Sequence, residues 1–242
     1  MMLMTWSHLL TRITNFQNAV RNQKNSAVLR KTALLKPFYS VLSIDLQYFP
    51  CINYINTLCN SDSVDFSAHL PFKRSSFRNR MVIAGSVGPI KLSIPIVGSR
   101  STTLPYNEVK IDNQSAWQQT HFRTLVTAYG NSPFFQHYRD ELELLFSVPP
   151  VLLFEWNMRC LTWLLSKIRL SDRLNSTDKD PSNELDVKHY SDVYTPKTYN
   201  QQPHFIKYPQ VFEDRVGFLP NLSMLDMLFN VGPEAGQRVL EH

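Results

Sequence analysis

The chain has 242 residues, 43% of them hydrophobic, enough to build a full core in one large domain or two small ones. Its formal charge is +5 and its pI about 9.1, a balance that ordinarily raises nucleic acid as a partner. No apolar run approaches the roughly 18 residues of a membrane span; the richest, PPVLLFEWNMRCLTWLL, is interrupted by Glu155, Asn157 and Arg159.

The position of the charge argues against a nucleic-acid partner. Residues 1–37 hold Arg12, Arg21, Lys24, Arg30, Lys31 and Lys36 with no Asp or Glu, a charge of +6, and the other 205 residues hold 19 basic and 20 acidic groups, a net of −1. The globular part is balanced, so no general affinity for phosphate backbones is expected of it. With 15 Pro against 7 Gly, the sequence contains neither GxGxxG nor GxxxxGK[ST], which excludes the glycine-rich phosphate loops. Cys51, Cys59 and Cys160 are odd in number, widely spaced and outside any CxxC context. This pattern gives no disulfide framework and no structural zinc, and it points to a reduced, cytoplasmic setting. The sequence requires no cofactor.

In chain order, residues 1–37 read as an N-terminal extension with the acid-free, Asn-, Gln- and Arg-rich composition of a transit peptide and no apolar core of a secretory signal. Leu9, Leu10, Ile13 and Phe16 recur at helical spacing within Trp6–Val20. Three readings are open: a surface helix packed on the domain, a membrane-surface or partner-binding helix, and a stretch translated from an upstream start. The first and third are preferred, because one Trp and few cations on one face give weak membrane affinity.

A single domain is placed over 38–239, and the final LEH, residues 240–242, reads as the start of an affinity tag. FYSVLSIDLQYF reads as a buried strand, Pro50 opens a helix through Ile55 and Leu58, and SVDFSAHL is a second strand. Strand, helix, strand favours a parallel pair with a crossover connection. Ligands gather at the carboxyl ends of such strands, which singles out Asp45, Gln47 and Tyr48 at one end and His69 at the other. For His69 the alternative is a hydrogen-bonded edge histidine.

NRMVIAG and IKLSIPIVG alternate around SVGP and predict an antiparallel hairpin, with NEVKID as a third short strand. Ser115 with Gln118 forms a capping-box pattern for a helix ending at a left-handed Gly130. Phe122, Leu125, Val126 and Tyr129 are its expected buried stripe, with Trp117, His121 and Arg123 projecting elsewhere. Ser132 and Pro133 are placed to start a second helix with Phe135, Tyr138, Leu142 and Leu145 inward. A third helix spans Pro150 to Ile168. Ser171–His189, with eight charged residues, reads as an exposed loop. Near the end, Ser223 and Asp226 are expected to cap a short helix that Gly232 and Pro233 terminate. The fold class is therefore α/β, with α+β the alternative: a β-α-β unit and a hairpin meander followed by a helical C-terminal half.

The candidate binding motif is PFKRSSFRNR, Pro71 to Arg80. In an extended chain residues i and i+2 share a face, so Arg78 and Arg80 would stand together roughly 7 Å apart, with Phe77 and Asn79 opposite. Two guanidinium forks suit a phosphate or carboxylate better than they suit each other. The plain alternative is a pair of solvated arginines with nearby carboxylates.

Several segments together carry a resemblance. The YFP near the start of the domain, the RNR ahead of KLSIPI, DNQSAW followed by AYGNSPFF, and YPQVF with GFLPNLSMLDMLFNVGPE resemble the WbqC-like family, in order from about Leu35 to Glu234. The resemblance implies a bacterial protein of surface-polysaccharide (O-antigen, lipopolysaccharide) gene clusters and a transferase placing an acyl or aminoacyl group, glycyl among them, on a sugar. Arg78, Asn79 and Arg80 correspond to the family's NR motif, and Trp117, Tyr129 and Asn221 fall in its other recurrent segments. Where many members carry His-Gln-Pro, this chain has Ile44, Asp45, Leu46 and Gln47. The expectation is an anionic donor, phosphate or carboxylate, held by Arg78 and Arg80, with Asp45 or His121 as general base toward a sugar acceptor. A non-catalytic protein that binds a nucleotide-linked sugar or a partner enzyme is the competing reading.

Overall fold

A computed structural model describes residues 39–98, 104–173, 187–201 and 203–242. The expectations for residues 1–37, and for 174–186 within the polar loop, lie outside the described residues.

The first strand, β1 (Tyr39–Ser43), carries no charged residue and is the centre of a three-stranded parallel sheet of order β2-β1-β5. Helix α1 (Ile52–Cys59) crosses to β2 (Ser61–Asp65), which pairs with β1 at Leu42↔Val64 and Ser43↔Asp65. The β-α-β unit is present, and a central strand covered on both sides explains an apolar run without alternation. β2 is shorter than SVDFSAHL, because the chain turns at Ser67, whose φ is +49°, and His69 lies beyond the sheet. The other edge of β1 pairs with β5 (Val187–His189), at Leu42↔Lys188 and Ser43↔His189. A strand thus occupies the end of the segment expected to be loop, and a 3-10 turn, Ser171–Arg173, its start.

The hairpin forms a separate two-stranded sheet, β3 (Arg80–Ile83) against β4 (Ile90–Ser93), with Met81↔Leu92 and Val82↔Lys91 opposed. A Cβ on Gly85 would meet the Ile90 side chain at 2.6 Å and the Gly88 carbonyl at 2.8 Å, so the tight connection needs glycine there. The expected third strand is absent. Tyr106–Glu108 is a 3-10 turn, anchored by the Tyr106 hydroxyl on the Leu46 carbonyl (2.8 Å), and NEVKID pairs only at single bridges, Ile96↔Ile111 and Lys110↔Leu152.

The C-terminal half is helical: α2 (Trp117–Tyr129), α3 (Phe135–Ser147), α4 (Leu153–Lys167), α5 (Glu213–Val216), α6 (Met224–Val231) and α7 (Glu234–Glu241). Helix α7 includes Leu240 and Glu241, the first two residues of the final LEH. The expected caps differ in detail. α2 begins behind Ala116, and the Gln118 amide donates to the Phe146 and Val148 carbonyls at the end of α3 instead of closing a capping box with Ser115. Gly130 ends α2 in right-handed geometry (φ −54°). Ser132 donates to the Tyr129 carbonyl and α3 starts later, at Phe135. Ser223 does cap α6, accepting from the Leu225 amide, whereas Asp226 is buried inside the core.

The buried stripe of α2 is rotated from the expected one. Trp117, His121, Leu125, Ala128 and Tyr129 face inward, and Phe122 and Val126 flank them, half-buried. Aromatic packing sets this rotation: Trp117 meets Trp156 edge-on at 5.7 Å, and Tyr129 meets Phe229 at 5.0 Å.

Candidate functional site

The basic stretch is not extended. Residues 74–75 and 77–78 are turns, and only Arg80 enters β3, so Arg78 and Arg80 do not share a strand face. The four cations of the stretch divide between two places.

Lys73 and Arg78 join the loops that follow β1 and β5. Arg78 is 2% exposed, and its Nη1 lies 2.7 Å from Asp192 Oδ1 and 3.9 Å from Asp45 Oδ2. Its guanidinium sits over the Tyr106 ring at 5.8 Å. Lys73 Nζ reaches the other Asp192 oxygen at 2.6 Å. Asp45, 1% exposed, accepts from the Asp192 amide (2.8 Å) and from Gln47 Nε2 (3.1 Å). Burial raises the pKa of the Asp45 carboxyl, and the nearby Arg78 charge only partly opposes this. Burial acts the same way on Asp192, but its hydrogen bonds and charge interactions with Arg78 and Lys73 outweigh it and hold that carboxyl below its ordinary value. The Asn157 amide donates to both the Arg78 carbonyl and the Tyr106 hydroxyl, so Arg78 is fixed along its backbone as well.

Polar groups gather where the three parallel strands end. Ser43 Oγ donates to Asp65 Oδ2 (3.3 Å) and lies 3.0 Å from Ser67 Oγ, itself 3.4 Å from Ser191 Oγ. The chain takes positive φ after each strand, at Phe49 (+42°), Ser67 (+49°) and Asp192 (+65°). His69 is exposed near this end, with Nδ1 3.4 Å from the Asn107 amide. These groups are largely spent on one another.

Arg74 and Arg80 belong to a cleft of about 330 Å³ at the entrance of the hairpin. Phe72, Ile94, Pro95 and Ile96 form its apolar surface, and Ser75, Asn79 and Asp112 complete its polar lining. The Asn79 side-chain Nδ2 donates to the Ile94 carbonyl (2.9 Å), and the Ile94 backbone amide donates to the Asn79 carbonyl (2.8 Å). The side chain thus takes the place of a second backbone bond at the end of the β3–β4 pairing and fixes Asn79 in the cleft wall. Among the described residues, neither Arg74 nor Arg80 has an ion-pair partner, and Arg80 Nε and Asn79 Oδ1 are buried without hydrogen bonds. Buried donors and acceptors are rarely left unpaired, so this wall is chemically incomplete in itself. The arrangement suits an anion.

The other predicted residues lie elsewhere. His121 is 3% exposed, with Nδ1 3.0 Å from the Tyr48 hydroxyl and its ring stacked on Tyr48 and edge-on to Trp117. Burial lowers its pKa from 6.5 to about 4, against the effect of a hydrogen bond to the Ser93 backbone, so the imidazole is neutral. Ser93 adjoins the cleft residue Ile94, but His121 itself does not line the cleft, and neither does Asp45. Trp117 is a core residue whose Nε1 donates to Asn113 Oδ1 (3.0 Å). Tyr129 donates to Asp226 Oδ1 (2.6 Å) and accepts from the Ala84 amide (3.0 Å). Tyr208 and Gln210 donate to the other Asp226 oxygen, giving a buried clamp between the hairpin, α2 and α6. Asn221, at φ +52°, accepts from the Asn53 amide in the first turn of α1 (2.8 Å). Sequence reasoning missed Arg74, Ser75, Asp112 and Asp192. Arg74 stood within the stretch it singled out, whereas Asp112 and Asp192 are brought in by remote loops.

Among the described residues no group of three His, Cys, Asp or Glu side chains is placed to hold a metal ion, and no helix is long and apolar enough to cross a membrane. Neither the curated proteins nor the solved structures contain a match to this chain. The model of the WbqC-like protein family matches residues 46–192 and 176–238. Those spans contain the cleft and most of the buried clamps described above, and the chain belongs to the WbqC-like protein family.

Proposed function

We propose that the protein is a transferase of surface-polysaccharide biosynthesis that attaches a small acyl or aminoacyl group to a sugar, and that it binds an anionic substrate group in the Arg74–Arg80 cleft. The observation that carries the proposal is the pair of guanidinium groups, without an ion-pair partner among the described residues, in a concave, partly apolar cleft whose one carboxylate is Asp112. Preorganised cations of this kind stabilise charge that develops during acyl transfer. The resemblance to O-antigen cluster proteins supplies the pathway. Three buried cysteines, an odd and widely spaced set, fit a reducing, cytoplasmic location. In this reading Arg74 and Arg80 hold the anion, while His69, Asp45 and His121 lie outside the cleft lining and make no contact with it. Arg78 positions the loop without touching the ligand. The test is turnover of acyl and aminoacyl donors with amino-sugar acceptors. Arg80→Ala should lose turnover with its unfolding midpoint unchanged, and full activity in that variant would sink the proposal.

A specific observation favours a second reading. Asp45 and His121 are both buried and outside the cleft lining, which fits a protein that binds a phosphorylated or nucleotide-linked sugar for a partner enzyme without catalysing a step. Ligand binding with no product from any donor and acceptor mixture would decide for it.

A further inference from the structure

We infer that the anion taken by the cleft is a phosphate monoester carried on a sugar, which makes the cleft the sugar-phosphate subsite and not the site of a carboxylate donor. This rests on the reading of the cleft as an anion site. A carboxylate carries one negative charge and is satisfied by one guanidinium fork. Arg74 and Arg80 offer two, and neither has an ion-pair partner among the described residues. With Asp112 in the same lining the net charge is +1, so the match lies in geometry: the three acceptor oxygens of a phosphate monoester can engage both forks at once.

The rest of the lining selects what the phosphate is attached to. Asp112 uses Oδ1 to accept from the Gln114 amide at 3.0 Å, and its other oxygen has no hydrogen-bond donor among the described residues. An acceptor beside two cations calls for a ligand with an anionic end and a hydroxyl or amine donor at the other. The Asp112 charge also opposes a second phosphate, which disfavours pyrophosphate-linked sugars. Phe72, Ile94, Pro95 and Ile96 give the C–H face of a sugar ring an apolar surface, and about 330 Å³ is at the small end of ligand pockets.

The test is calorimetric titration of the full chain with glucose 1-phosphate, glucose 6-phosphate, glucosamine 1-phosphate, inorganic phosphate, glycine, acetate and a uridine diphosphate sugar. At least one sugar monophosphate should bind more tightly than inorganic phosphate and both carboxylates. Arg74→Ala, at an exposed position, should weaken it about tenfold or more. Asp112→Asn should weaken the sugar monophosphate while leaving inorganic phosphate unchanged or tighter. Carboxylates binding best, inorganic phosphate binding as well as the sugar phosphates, or the diphosphate sugar binding tighter than all would each overturn the inference. Absence of binding by every anion would overturn the cleft reading with it, whereas binding without turnover would count only against the transferase.

Discussion

Replacing Arg78 by Met separates the two arginines of the motif. Arg78 lies 3.9 Å from the buried Asp45 carboxylate, a gross attraction of about 4 kcal/mol at an effective dielectric constant of about 20. Most of that attraction offsets the cost of removing both charges from water, so the pair adds little net stability. Removing one partner is different, because Asp45 keeps its burial and loses the cation that opposes it. The expected loss in Arg78→Met is about 3–5 kcal/mol, measured by urea unfolding at pH 7. Asp192 suffers less, being 24% exposed at its side chain and still paired with Lys73. The folded-state pKa of Asp45 is already raised by burial, and losing Arg78 raises it further. The deficit should therefore shrink as the pH is lowered and Asp45 takes a proton. Adding Asp45→Asn should recover part of the loss at pH 7. Arg80→Met removes a half-buried, unpaired cation and should cost less than about 1 kcal/mol. If Arg78→Met is no more destabilising than Arg80→Met and removes ligand binding instead, the division of the arginines is wrong.

Three further predictions concern the buried polar clamps. The His121 pKa falls from 6.5 to about 4 on burial, so between those values the unfolded chain binds a proton that the folded chain refuses. The residue's contribution is full above about pH 6.5 and is lost as the pH falls to about 4, a change of ~3 kcal/mol; His121→Phe should lack this part of the stability–pH curve, and parallel curves for the two proteins would contradict it. Tyr208→Phe removes a donor to Asp226 Oδ2 at 2.6 Å and should cost about 1–3 kcal/mol in urea unfolding; a negligible change would show that Asp226 does not need it. Asn221→Ala loses the bond to the Asn53 amide and strains a residue at φ +52°, so it should be destabilised by about 1–2 kcal/mol and by more than Asn221→Gly. Equal losses would rule out the backbone contribution.

The parts of the fold that the sequence made legible are those with long periodic or uninterrupted apolar patterns. β1 and its crossover helix, the hairpin, the presence of α4 and the Phe135, Tyr138 and Leu142 face of α3 follow from side-chain spacing. β5 does not, because three residues with one lysine carry no period and become a strand only by pairing with β1. The α2 stripe was misread for a related reason. Trp117 and His121 have polar ring atoms that look solvent-facing, yet Asn113 and Tyr48 satisfy them inside the protein. The same limit applied at the site: the extended-chain rule paired Arg78 with Arg80, but the turns before β3 send Arg78 to Asp45 and Asp192 and leave Arg80 with Arg74. Which carboxylate neutralises which cation is a tertiary fact, set here by loops after separate strands. The segments that carry the family resemblance, from YFP to NLSMLD, also meet in the structure as buried clamps. Ser223 alone joins the Phe49 carbonyl to the Val82 carbonyl, through its hydroxyl and its amide.

The central claim is that Arg80, and not Arg78, meets the anion. Nuclear magnetic resonance of the arginine Nε–H groups, assigned with the Arg78→Met and Arg80→Met variants, measures this directly during titration with glucose 1-phosphate and inorganic phosphate. The Arg80 Nε–H signal should shift with saturation while that of Arg78, held by Asp192 and Asp45, stays in place. A shift of the Arg78 signal with Arg80 unmoved would contradict the account.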